Sequence, residues 1–262
     1  MKKILRYIIL LIVILTGSCE EPIDCNPEKQ FVPRLVVEAF LTNQPGYNYV
    51  KLTLPVFFPG DQPRSVTGAI VVLSDGENQH LLREDAKSPG IYITEESVRG
   101  VVNKIYALYI KVDSYEFIAH AAMIPVGPLG EFSYRETSDG SYIINPSGGS
   151  DPSMIRYIVE WADSTGNREA VFYHYRLESV DVNEFFKPSA ETLTFPSGAK
   201  LVRQKYSLTP DHQQYIRSLL SETEWKGGWF DVLPGNLHTN LSAGAVGYFA
   251  ACSVVADTVW IE

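Results

Sequence analysis

The sequence predicts a mainly β fold: an N-terminal immunoglobulin- or transthyretin-like β-sandwich, then a β-rich domain with one helix. Three observations lead there. Short runs of branched and aromatic residues alternate with polar ones, turn-forming dipeptides separate the runs, and a single segment carries helical spacing. Of 262 residues, 45% are hydrophobic and 20% charged, a balance that supports a sizeable core and argues against disorder.

In the first half, strands are expected at Leu35 to Leu41, Tyr49 to Leu54, Ala69 to Ser74, Gly90 to Thr94, Ile105 to Val112 and Tyr115 to Ala122. Val50, Leu52 and Leu54 fall on one face with Lys51 and Thr53 opposite. Tyr106, Leu108, Ile110 and Val112 share a face against Ala107, Tyr109 and Lys111. Each such face can bury against a second sheet. Pro45-Gly46, Pro59-Gly60-Asp61, Asp75-Gly76 and Pro89-Gly90 supply the turns, because proline presets φ and glycine accepts positive φ. Six strands so spaced read as a sandwich over 34–124.

Ile124-Pro125-Val126-Gly127-Pro128 interrupts strand pairing and is read as a linker, with the domain boundary between Ala122 and Leu129 and the second domain over 129–262. Short strands follow at Phe132 to Arg135 and Ser141 to Asn145, and the loop Pro146 to Pro152 comes next. Ile155 to Ala162 and Ala170 to Glu178 form a hairpin across Asp163-Ser164-Thr165-Gly166-Asn167. The helix is expected near 210–223. Thr209 suits an N-cap, Pro210 the first helical position, and Asp211 the first turn, where the helix dipole favours an anion. Tyr215, Ile216, Leu219 and Leu220 form its apolar stripe, and Gly227-Gly228 would end it. Ala245 to Val255 and Thr258 to Ile261 return to strand.

The N-terminus carries an address. Lys2, Lys3 and Arg6 precede an apolar run from Ile8 to Leu15 and then Thr16-Gly17-Ser18-Cys19. A basic start, a short hydrophobic stretch and small residues before a cysteine read as a secretory signal over residues 1–18. The run falls short of the ~20 apolar residues that span a bilayer. The pattern resembles a lipoprotein lipobox, with Thr16 where leucine is usual, and implies lipid attachment at Cys19; the alternative is an ordinary secretory peptide cut near Ser18. Residues 19–33 then form an acidic tether. In lipoproteins of the Bacteroidota, acidic residues such as Glu20, Glu21 and Asp24 resemble a signal for export to the outer face of the outer membrane; a solvated acidic linker is the alternative.

Formal net charge is -9. Loss of Lys2, Lys3 and Arg6 with the signal would bring it to -12, so nucleic-acid binding has no electrostatic footing. Beyond Cys19, only Cys25 and Cys252 remain; they could form a disulfide if their Cα atoms approach within ~7 Å, or stay separate thiols.

In order along the chain, Leu35 to Asn43, Val50 to Leu54, Val66-Thr67-Gly68-Ala69, Asp75-Gly76, Pro89-Gly90-Ile91-Tyr92, Tyr106 to Ile110, Gly235-Asn236-Leu237 with Asn240, and Gly247-Tyr248-Phe249 resemble the domain-of-unknown-function family 4249. That resemblance implies an outer-membrane lipoprotein with an N-terminal immunoglobulin-like sandwich and a β-rich C-terminal domain. It further implies association with TonB-dependent outer-membrane receptors, and it implies no catalytic residues.

No G-x-S-x-G turn exposes a serine nucleophile, and no H-E-x-x-H brings histidines to a metal. His80, His120, His174, His212 and His238 are scattered and read as surface, capping or turn residues. No metal site and no cofactor are expected. Trp225, Trp229 and Phe230 are the candidate contact for a glycan, a peptide or a partner surface, with closure of the core beneath the helix as the competing role. The preferred reading is a non-enzymatic binding or accessory lipoprotein, held at the membrane by its lipid anchor and working beside a TonB-dependent receptor. Two others stay open. One is a surface hydrolase of glycans or peptides that draws on dispersed acidic residues among 31, which needs two carboxyl groups roughly 5 to 9.5 Å apart in a pocket. The other is a purely structural envelope module without a pocket.

Overall fold

The computed structural model describes residues 35–46, 48–56, 62–145, 151–164, 166–177, 194–223 and 237–262. The expected alternations set the first core. β1 (Leu35–Thr42), β2 (Tyr49–Thr53), β5 (Arg83–Glu84), β6 (Ile91–Ile93) and β15 (Ala245–Cys252) form one sheet in the order β15-β1-β2-β6-β5. β3 (Ile70–Ser74), β4 (Gln79–Leu81), β7 (Ile105–Val112) and β8 (Tyr115–Ala122) form a second, ordered β4-β3-β7-β8. Val37, Leu52, Val71, Leu108 and Ile110 are buried in the one apolar cluster these sheets share. The mainly β sandwich predicted from periodicity is the fold here, completed by β15 from near the C-terminal end.

The second core lies between two further sheets. β9 (Ser133–Glu136), β10 (Tyr142–Asn145) and β13 (Thr194–Phe195) order as β13-β10-β9. β11 (Ser153–Asp163), β12 (Gly166–Arg176), β14 (Lys200–Ser207) and β16 (Val254–Trp260) order as β12-β11-β14-β16. Ile144, Ile155, Tyr157, Val159, Phe195 and Leu201 bury together, and Tyr157 stacks on Phe172 at 4.8 Å. The β11–β12 hairpin closes as expected, with Asp163 opposite Gly166. The helix α1 (Pro210–Thr223) is the only helix among the described residues. Thr209 caps it, its hydroxyl accepting from the His212 N–H at 3.2 Å. Ile216 and Leu220 bury beside Met154, Tyr175, Tyr206 and Phe40.

Beyond the short strands β4, β5 and β13, which the periodicity did not show, two departures bear on the site. Ala245 to Val255, read as one strand of the second domain, is divided at Ser253: β15 runs parallel to β1, from Leu35 opposite Ala245 to Thr42 opposite Cys252, while β16 pairs with β14. Ser253 is the pivot. Its N–H donates to the Ser207 hydroxyl at 3.0 Å and its own hydroxyl to the Ile124 carbonyl at 2.7 Å. One continuous stretch therefore completes a sheet of the sandwich and an edge of the second layer. Pro33–Glu262 forms one compact unit.

β14 is the other departure, since the periodicity contains no strand at 200–207. Its inward face carries Leu201, Arg203, Lys205 and Ser207, all buried, so two cations occupy positions where apolar residues signal a strand. Lys205 Nζ donates to the Pro128 carbonyl at 3.0 Å and to Asp151 Oδ1 at 2.5 Å. Arg203 pairs with Asp257, donates to the Gly130 carbonyl at 3.1 Å and lies 5.1 Å from the Phe132 ring centre. The segment read as a linker is thus clamped through its carbonyls to the neighbouring sheet.

Candidate functional site

Among the described residues, the densest meeting of titratable and aromatic side chains lies where the first turn of α1 rests on the outer face of β15. β15 reaches that position through Gly247. Its φ is +103° and an added Cβ would stand 2.0 Å from the Val37 carbonyl oxygen, an approach only glycine permits. Asn240 holds the strand from the other side: its amide oxygen accepts from the Phe249 N–H at 3.0 Å and its amide nitrogen donates to the Phe249 and His120 carbonyls at 2.8 and 2.9 Å. Asn240, Gly247 and Phe249 belong to the motifs quoted from the sequence, and their physical role is to seat β15 between β1 and β8.

Tyr248, between Gly247 and Phe249, points to the opposite face and donates its hydroxyl to Asp211 Oδ2 at 2.7 Å. His238 Nε2 lies 2.7 Å from Asp211 Oδ1. A carboxylate only accepts, so that nitrogen carries the proton. Burial pushes the Asp211 carboxyl up, but the hydrogen bonds from Tyr248 and His238 outweigh it and hold the group below the ordinary carboxylate range. Burial, followed by the hydrogen bond to Asp211 and then that group's charge, pushes the Tyr248 phenol well above its usual value. His212 is buried and pushed down to about 4, so at neutral pH it is an uncharged ring. It stacks on Tyr248 at 4.8 Å, and Tyr215 stacks on Tyr248 at 4.9 Å.

Chemically, this arrangement is a latch. Both Asp211 oxygens are occupied. Ser218, which accepts from the His238 N–H at 3.1 Å, commits its own proton to the Tyr215 carbonyl at 2.8 Å, so it is not poised as a nucleophile on the imidazole. The Cys252 thiol, 3.8 Å from His212 Nδ1, is raised to about 12 by burial alone and is inert at neutral pH. No group of three or more metal-ligating side chains gathers among the described residues. A described cavity bordered by Phe40, Asn48, Tyr49, Thr94 and Phe249 has a volume of about 10 Å³ and no carboxylate in its lining, room for a single water.

Sequence reasoning singled out Cys19 and the aromatic trio Trp225, Trp229 and Phe230; all four lie outside the described residues, as does Cys25. The partnership of Asp211 with His238 and Tyr248 was missed, because residues 27 and 37 positions apart carry no local motif. The only sequence signal near it was the Gly247-Tyr248-Phe249 stretch. No described helix is long and apolar enough to cross a membrane.

No curated protein matches the chain. Among solved structures, similarity extends to the FN1-FN3 domains of chicken CNTN1, at 10% identity over 68% of this chain and 63% of that one with a TM-score of 0.27. It also extends to a cytokine receptor complex, at 7% identity over 86% and 95% with a TM-score of 0.23. Scores this low carry no argument. The sequence itself is more informative: the family model described as "Domain of unknown function (DUF4249)" matches residues 20–258, so the chain belongs to that family.

Proposed function

We propose that the protein is a surface-directed outer-membrane lipoprotein, anchored through acyl chains on Cys19, that acts as a non-enzymatic binding or accessory component beside a TonB-dependent receptor. The observation that carries this reading is the order basic residues, apolar run, Gly17-Ser18-Cys19, acidic tether. Each buried CH₂ of the acyl chains would add ~0.8 kcal/mol of membrane affinity. Among the described residues, Asp211 is held by both Tyr248 and His238, and the described cavity has room for a single water. The hydrolase reading draws no support from that cavity, which no carboxylate lines.

Mass spectrometry of the mature N-terminus after expression in a native-like envelope tests the anchor. A diacylated or triacylated Cys19, lost in Cys19→Ala with release of the protein from membranes, is the expected result; an unmodified terminus on a freely soluble protein overturns it. Mild detergent extraction and affinity purification test the partner, and recovery without any outer-membrane receptor removes that part of the reading.

A further inference from the structure

The sandwich sheet ordered β4-β3-β7-β8 turns one face to the core and leaves the other uncovered among the described residues. On that outer face one apolar row crosses all four strands: Leu81 stands opposite Val72, Val72 opposite Tyr109, and Tyr109 opposite Ile118. Leu81 is 64% exposed and Ile118 46%, while Ile70 and Ile105 on the same face are 50% and 66% exposed. Single exposed apolar residues are ordinary on a protein surface, but a contiguous row of them marks a contact. The other sandwich sheet differs, because its outward Phe40 and Tyr248 pack with residues of α1.

Edges and charge decide what can cover this face. Beyond β8 the sheet is closed by the segment carrying Leu241 and Ser242. Ala119 bridges Leu241, the Ser242 N–H donates to the Ile118 carbonyl at 2.8 Å, and the Ile118 N–H donates to the Ser242 hydroxyl at 3.1 Å. β4, at the opposite edge, is three residues long. An added strand finds little to pair with at either edge, which leaves the face itself. The chain carries a net charge of -9, so two copies repel over most of their surfaces. Beside the apolar row lie Ile70, Lys111 and Glu116 on one side and Ser74, Ala107 and His120 on the other. The one ammonium and the one carboxylate of these flanking rows, Lys111 and Glu116, pair with each other at 3.2 Å. Here an acidic chain presents a surface that does not repel its own copy.

We propose that this face is a homodimer interface, closed sheet to sheet by a second copy of the chain. Two twisted sheets packed face to face cross at about 30° and interdigitate, so the row from Leu81 to Ile118 lies across the same row of the other copy. A face that is apolar along its middle and cancels its own charge is self-complementary, as a two-fold contact demands. Its size suits a reversible contact. Strands about 4.8 Å apart with a rise of about 3.4 Å per residue make a floor of roughly 400 Å², and two such faces with their side-chain relief bury about 1,000 Å² in total, the lower limit of a specific interface. Dissociation at micromolar concentration follows. The dimer requires neither the acyl anchor nor a receptor.

Sedimentation velocity of the mature chain carrying Cys19→Ala, over a concentration series up to about 500 µM, tests the interface. A monomer–dimer equilibrium is expected, and it should tighten as NaCl rises, because salt screens the repulsion between two acidic copies. Ile118→Glu and Leu81→Glu, at the two ends of the row, should each weaken dimerisation roughly tenfold or more. Val171→Glu, an exposed position on β12 of the other layer, should leave it unchanged. Both row positions are exposed, so the substitutions keep the fold, which a melting curve checks for each variant. A chain that stays monomeric throughout, that dimerises equally well in both row variants, or that loses the dimer only in Val171→Glu overturns the proposal. So does a monomeric chain that binds phosphatidylcholine vesicles through Ile118 and Leu81, which assigns the face to a lipid surface instead.

Discussion

The sandwich and the sheet built around β11 and β14 close their cores with different chemistry. In the sandwich, the inward face of β7 is Tyr106, Leu108 and Ile110, which all bury against apolar partners. In the other layer, the inward face of β14 alternates Leu201 with Arg203 and Lys205, whose charges are met by Asp257, Asp151 and the carbonyls of Pro128 and Gly130. A hydrophobic core is non-directional and tolerates repacking. A buried cation demands specific partners, and losing one of them is costly. The sandwich is therefore held by area, and the linker by a few directed bonds.

Substitution at the junction of the two regions should have the largest effect. Gly247→Val places a side chain on the Val37 carbonyl in a conformation L-residues rarely adopt, and about 4 kcal/mol of destabilisation is expected in urea unfolding. An undiminished midpoint would mean that β15 can leave β1 without loss. Next come the two ends of the buried pair. Asp151→Ala strands Lys205, which is wholly buried, and should cost about 3 kcal/mol. Lys205→Met leaves a carboxylate that solvent can reach and should cost less. Equal losses would show that the clamp is not asymmetric in this way.

Smaller still is Tyr248→Phe, which removes one hydrogen bond to Asp211 and should cost about 1 kcal/mol in thermal or urea melts, leaving the ring stack intact. The weakest effect is that of acid. Burial pushes the Asp151 carboxyl up, but hydrogen bonds from Lys205 and the Gly127 N–H prevail and lower it in the fold. A group lowered by folding contributes stability above its unfolded value of ~3.9, and that contribution is lost as pH falls through the folded value. Urea midpoints should thus hold steady from neutral pH to roughly 5 and drop below about 4, with a shallower drop in Asp151→Asn. Identical acid limbs in the two proteins would remove Asp151 as a contributor.

Legibility in the sequence follows the same division. β1, β7, β8 and α1 emerge at or near their observed bounds, since each buries an apolar face of period 2 or 3.6 and α1 carries its own cap at Thr209. β14 did not emerge, because Arg203 and Lys205 break the apolar alternation. Nor did the latch: Asp211 was legible as a residue in a helix's first turn, but its partners His238 and Tyr248 are distant in sequence. The hairpin reading placed Arg156 and Tyr173 in paired strands, but Gln204, opposite Arg156, lies on β14, which periodicity did not show.

By itself, then, the sequence determined the β class, the helix, most strands of the sandwich, the family and the expectation of a lipid-anchored start, because periodicity, caps and ordered motifs are local properties of the chain. Tertiary structure alone decided that residues 245–260 divide between two sheets at Ser253, that buried cations can serve as an inward strand face, and that Asp211 meets Tyr248. Those outcomes depend on which hydrogen-bonding and charged groups from distant segments meet where water is excluded, and no run of neighbouring residues encodes that meeting.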